Sequence, residues 1–310
     1  MRIGTNVGME IDGPKTMTDI VDEVRRAAEL GLGGAWWAER HTADALTAAT
    51  VAGLAVPGLP LGTAVVTTYP RHPLTLAGQA LSVQAAVGNR LTLGIGPGHR
   101  ERVESVFGLR FEHPARHTRE YLRVLMPLLR GETVEFDGKI YQVAGQTRTP
   151  GAQAPSVLLA ALGPVMLRVA GELADGTVVV WTGLRTIGTH VVPGITAAAE
   201  GAGKPAPRIV VNLPIAVTDD PDLARAWIGE HFGRAGLVPS YRALFEREGV
   251  RGPADVVVVG DEHAVERQLR AYADAGATEF IAVPFGSPEQ INRTLTFLGH
   301  VNRATTGSEA

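Results

Sequence analysis

The chain has 310 residues, 29 basic and 32 acidic side chains for a net charge of −3, and an apolar fraction of 45%. That is enough apolar material for one large α/β domain or two ordinary ones, and no basic stripe suggests nucleic acid or an anionic membrane as partner. The absence of cysteine excludes disulfides, zinc–thiolate sites and thiol nucleophiles.

The opening MRIGTNVGMEIDG reads as a strand with acidic residues after it. It lacks the basic segment and apolar segment of a secretory signal, and no apolar run reaches the roughly 18 residues of a membrane span. A soluble, cytoplasmic protein is expected. In chain order, β-rich runs fall at residues 2–8, 34–38, 61–67, 91–96, 156–160, 177–181, 209–217 and 279–284. Amphipathic stretches lie between them. The first, residues 17–30, puts Ile20, Val24, Ala27 and Leu30 on one face, whereas residues 43–56 are helical but apolar on most sides. Runs such as VVVW and FIAV are almost continuously apolar, as suits strands covered on both faces. Eight such strands, each followed by a helix, predict a (β/α)8 TIM barrel, one domain over residues 1–303 with a frayed tail at 304–310. A doubly wound sheet is the alternative, but no GxGxxG turn follows the first strand.

Two insertions interrupt the rhythm. Residues 131–155, before the fifth strand, carry Asp137-Gly138 between alternating runs, a hairpin signal. Residues 221–253, after the seventh strand, are mostly helical and carry Trp227, Phe232, Tyr241 and Phe245. Their apolar faces could pack on the barrel or on another subunit.

Barrel chemistry sits at the C-terminal ends of the strands. Those ends carry Thr5 and Asn6; Glu39, Arg40 and His41; the run TTYPRHP; the run GIGPGHRE; AALGP; and Trp181-Thr182-Gly183. In AALGP, small residues admit close backbone approach, Gly163 is able to take a positive φ, and Pro164 suits a first helical position. The free N–H groups of that helix start would seat an anion such as phosphate. An ordinary βα turn is the competing reading there, and equally for Gly96-Pro97-Gly98. Proton-handling candidates are His99, Glu39 and His41, with Arg40 as an electrostatic partner. His72 reads as packing or capping the third turn, Asp44 as a helix N-cap and Asp175-Gly176 as the turn into the sixth strand.

Five segments in sequence carry a resemblance: RIGTNVG, LGTAVVTTYPRHPLTLAGQALSVQ, RLTLGIGPGHR, LLAALGPVMLRVAGELADG and VGDEHAVERQLRAYADAGATEFIAVPFG. Together they resemble the luciferase-like monooxygenase superfamily, in particular its coenzyme F-420-dependent oxidoreductase branch, which includes methylenetetrahydromethanopterin reductase. The resemblance implies a TIM barrel and hydride transfer between F-420, a deazaflavin, and a small organic substrate. It implies cofactor contacts at Glu39, Ala64, Val65, Gly96, Pro97, Gly98, Ala160, Ala161, Leu162, Gly163 and Pro164, with a cis peptide at Ala64-Val65. His99 and Glu39 are then the catalytic candidates. Relatives often place His directly after the second strand's carboxylate, where this chain has Arg40. No basic residues match those that hold a sugar phosphate in some relatives. A homodimer through barrel helices is implied. The alternatives are an FMN-dependent monooxygenase fed by a separate flavin reductase, and a non-catalytic flavin- or deazaflavin-binding protein.

Overall fold

The computed structural model describes residues 1–9, 13–39 and 43–306. Its strands, in chain order, are β1 (Arg2–Asn6), β2 (Ala35–Trp37), β3 (Leu61–Thr63), β4 (Val66–Thr67), β5 (Leu91–Gly96), β6 (Val134–Asp137), β7 (Gln142–Gly145), β8 (Ser156–Ala160), β9 (Gly176–Val180), β10 (Arg208–Val217), β11 (Val258–Gly260) and β12 (Glu279–Pro284). Parallel pairing runs β12-β1-β2-β3-β5-β8-β9-β10, and β10 pairs back onto β12. The eight expected strand runs therefore close into a (β/α)8 TIM barrel. β4 continues β3 past an irregular step and pairs with β5.

Inward-facing side chains alternate along each strand. At the lower end, Arg208 donates from Nε and Nη2 to Glu279 at 2.8 and 2.6 Å, and from Nη1 to Ser156 and Thr92. The next layer is Trp36, Leu158, Val178, Val210 and Ile281. Trp36 fits because its neighbours lack side chains. A Cβ on Gly62 would lie 2.2 Å from the indole, and one on Gly4 would lie 2.9 Å from it. With the indole 5% exposed, its burial contributes about 4–6 kcal/mol before entropy is counted. Either glycine replaced by a larger residue would displace it.

Both insertions appear. β6 and β7 form the antiparallel hairpin signalled by Asp137-Gly138. Glu120 anchors its turn by accepting the N–H groups of Lys139, Ile140 and Tyr141 at 3.2, 2.8 and 3.2 Å. Burial of Glu120 works to raise its pKa, but the three N–H donors outweigh it and the pKa is lowered. The second insertion folds as helices Pro221–Phe232 and Pro239–Glu248. Its buried Ile228 and Phe245 join the main core, so it packs on the barrel. β11 was not foreseen; it adds to the far end of β10. The final helix, Pro288–Thr306, runs three residues into the expected tail. Among the described residues, no helix is long and apolar enough to cross a membrane.

Candidate active site at the barrel mouth

The C-terminal ends of β3, β4, β5 and β8 build one wall of the mouth. Five residues from Gly62 to Val66 face four from Thr92 to Ile95, so the β3–β4 side carries one extra residue, a bulge. The Ala64–Val65 peptide inside it is cis. Gly94 makes the bulge possible: a Cβ there would lie 1.9 Å from the Thr63 carbonyl oxygen. The Thr63 hydroxyl locks the same place, accepting from Gly94 N at 2.9 Å and donating to Gly94 O at 2.8 Å. Beside it, a Cβ on Gly96 would come within 3.0 Å of both Ala160 Cβ and Val65 Cγ2. The wall is thus flat, built of Ala64, Val65, Gly96 and Ala160, with no long side chain on it.

Gly98 turns the chain away from β5 with φ +73°, a conformation glycine takes without strain. Gly163 does not: its φ is −94°, so the expectation of a left-handed turn is corrected. Its small size matters instead, because nothing lies within 4 Å of where a Cβ would be. Gly163 is the N-cap of helix Pro164–Leu173, and no side chain caps it. Gly163, Pro164 and Val165 are all exposed. The first-turn N–H groups therefore face open space, beside the flat wall that ends at Ala160. Ala161 is fully buried, and the Leu162 carbonyl lies 2.9 Å from His190 Nε2, which fixes the turn from behind.

Glu39 is held on both oxygens. Oε2 accepts from Thr67 N at 2.7 Å and Oε1 from Arg71 Nη2 at 2.5 Å. Arg71 also pairs with Asp44, the N-cap of helix Ala45–Ala55. The cation paired with Glu39 is thus Arg71, from the TTYPRHP run. Arg40 and His41 lie outside the described residues. His72 caps helix Pro73–Ala86 by accepting from Leu74 N at 3.3 Å. The Asp175 carboxylate accepts from Val157 N at 2.8 Å at the turn into β9.

His99 stands exposed at the rim as N-cap of the short helix Arg100–Ser105. Its Nε2 lies 3.0 Å from the Tyr241 hydroxyl, with the rings edge to face. Desolvation of the covered side, and then Arg102, lower its pKa below the usual histidine value. Tyr241, 142 residues away on the second insertion, was not singled out for chemistry by sequence; only its aromatic character in a helical insert pointed there.

Across the mouth, Trp181 follows β9 and Phe285 follows β12. Trp227 stacks on Phe285 with centroids 5.3 Å apart, and Phe232 lies 5.5 Å from Trp181. Asn6 and Asn212 are 7% and 8% exposed, and their Oδ1 atoms have no hydrogen-bond partner among the described residues.

Residues 1–295 match the model of the luciferase-like monooxygenase family. The chain belongs to that family. The 5,10-methylenetetrahydromethanopterin reductase of Methanolobus tindarius is 26% identical over 255 residues, which cover 82% of this chain and 78% of the relative. Among solved structures of the same fold, an F-420-dependent secondary alcohol dehydrogenase in complex with an F-420–acetone adduct superposes with a TM-score of 0.79. It is 18% identical, with 97% of each chain covered. The oxygenating constituent of 3,6-diketocamphane monooxygenase of Pseudomonas putida, in complex with FMN, gives a TM-score of 0.74 at 18% identity. The match covers 96% of this chain and 97% of that one. Solved structures of this fold thus include complexes with either ring cofactor.

Proposed function

We propose that this luciferase-like protein is an oxidoreductase that transfers a hydride between coenzyme F-420 and a small organic substrate. The observation that carries the reading is the continuity of the flat wall of Ala64, Val65, Gly96 and Ala160 with the uncapped helix start at Gly163 and Pro164. A planar ring has a surface to lie on, and a phosphate group one strand end away has N–H donors and a helix dipole to meet. The sequence relationship to a methylenetetrahydromethanopterin reductase favours the deazaflavin over FMN. Bound there, F-420 supplies reversible two-electron hydride chemistry at a ring carbon.

The chain's own residues then have separable tasks. The wall positions the ring, and Gly98 and Pro97 line its outer edge. Glu39 holds the Thr67 N–H and Arg71 together, which fixes the far side of the bulge. His99, with the Tyr241 hydroxyl on Nε2, accepts or returns the proton when an alcohol, ketone or imine is the substrate. Fluorescence titration tests the cofactor assignment. F-420 is expected to bind in the micromolar range or tighter, and FMN at least tenfold more weakly, about 1.4 kcal/mol. Equal or tighter FMN affinity moves the reading to a monooxygenase.

A homodimer is part of the proposal. Within residues 45–88, Arg71 is the only Asp, Glu, Lys or Arg, and it is turned inward to Glu39 and Asp44. Helices Ala45–Ala55 and Pro73–Ala86 therefore present an uncharged outer face, with Leu54 63% and Val51 39% exposed. Such a face suits burial against a second copy.

A further inference from the structure

We infer that Asn6 and Asn212 form the polar floor of a substrate subsite that selects a neutral, largely apolar molecule carrying hydroxyl or N–H donors. This rests on the cofactor assignment above. Around the barrel, the arc of β3, β5 and β8 lies opposite the arc of β10, β12 and β1. The first arc is the proposed ring wall, so the second faces the exposed side of the ring. Asn6 lies two residues beyond Gly4, whose Cβ position points at the interior Trp36. Asn212 lies two residues beyond Val210 of the interior layer. By strand alternation both amides point inward, one layer nearer the mouth.

Register fixes their spacing. Gly4 and Asn212 both stand opposite Ile281, on the two flanks of β12. Asn6 stands two residues further along, so Asn6 and Asn212 are separated by two strand spacings and two residue rises, roughly 11–12 Å between Cα atoms. Each presents a buried Oδ1 without a hydrogen-bond partner among the described residues. An unmet buried acceptor costs about 1–3 kcal/mol, and two turned toward the barrel mouth are accounted for by a ligand that donates to each.

The rest of the arc limits what that ligand is. The inward positions beside the amides are Val180, Ile281 and Val283, and above them stand Trp181, Phe285, Trp227 and Phe232. The inward-facing ion pair of these strands, Arg208 with Glu279, lies in the lower layer and is closed on itself. A carboxylate or phosphate placed among aromatic carbon, with Arg208 already closed on Glu279, would be poorly solvated. A neutral ring or chain with a donor for each amide oxygen meets both demands.

Cyclohexanol, its methyl ether and cyclohexanecarboxylate serve as probes. Their binding to the wild-type protein is measured by ligand-observed NMR, with and without saturating F-420. Cyclohexanol is expected to bind at least tenfold more tightly than either of the others. Cyclohexanol has one donor, so at least one of Asn6→Leu and Asn212→Leu is expected to lower its affinity about tenfold, and both to leave F-420 and FMN affinity within threefold and to keep or raise the Tm. Equal binding of the alcohol and its ether overturns the proposal without recourse to any variant. So does unchanged cyclohexanol affinity in both variants, or loss of cofactor in place of alcohol. Failure of F-420 and FMN to bind the wild type refutes the cofactor reading instead, and is read separately.

Discussion

Gly163→Val separates the two readings of AALGP, because fold and ligand predict opposite sensitivities. The backbone of Gly163, at φ −94° and ψ 162°, is open to any residue, and its Cβ would meet no atom within 4 Å. Valine is a poorer N-cap than glycine by under about 1 kcal/mol. Reduced freedom of the unfolded chain offsets about 0.4–1 kcal/mol of that. The Tm should therefore move by no more than about 3 °C. A bound anion is affected differently, because the two new methyl groups stand where the first-turn N–H groups open to solvent. Losing one charge-assisted hydrogen bond costs about 1.5–3 kcal/mol, and losing the dipole contact adds a few tenths. Affinity for F-420, and for FMN where it binds, should fall at least tenfold. Fluorescence titration with a thermal melt on the same samples reads both quantities. Gly94→Ala is the contrasting control: its Cβ would sit 1.9 Å from a backbone oxygen, so it should destabilise the fold itself. A folded Gly163→Val protein with unchanged cofactor affinity would refute the phosphate seat and return AALGP to an ordinary βα turn.

Three further outcomes are expected. His99→Ala should lower turnover roughly 10²-fold with little change in cofactor affinity. The acid limb of the wild-type kcat/KM profile should lie below pH 6.5, as the lowered pKa of His99 requires, and vanish in the variant; full activity in His99→Ala with loss in Glu39→Gln would assign the proton to β2 instead. Burial holds His117 to a pKa of about 4, against the partial pull of Glu120. Between pH 6.5 and 4 the unfolded chain binds a proton there and the folded chain does not, so stability is full at neutral pH and falls with pH by about 3 kcal/mol across that window. Denaturant titrations at pH 7 and 4.5 check this, and a His117→Phe variant with the same pH slope as wild type would contradict it. Leu54→Arg should convert a dimer to a folded monomer by light scattering; a monomeric wild type would remove the proposed dimer.

The barrel was legible because its signal is repeated. Each strand run is short, apolar and followed by a helical period, and eight repeats leave few other closures. Turn chemistry was equally local: His72, Asp44 and Asp137-Gly138 act where their neighbours in sequence place them. What could not be read is whatever the closure itself brings together. Arg71 reaches back 32 residues to Glu39, and Tyr241 reaches 142 residues to His99. No periodicity encodes such distances. Gly163 shows a subtler limit: open space surrounds it, as its small size allows, but its φ depended on how the helix leaves β8.

Asn212 lies between these cases. It is the lone polar residue in the strand run IVVNLPIAV, and an amide in an otherwise apolar strand is costly unless partnered. Sequence alone flags the anomaly but not its direction, since one register step would turn the amide outward toward the helices. The pairing of Asn212 with Ile281 and Val180 settles the face. Once it is inward, the same reasoning that explains Gly62 applies in reverse. Glycine there gives space to Trp36 and closes the barrel below. The unpaired amide one layer higher keeps a polar group in reserve, and in a barrel whose ring wall is stripped to alanine, valine and glycine, a substrate is the group left to meet it.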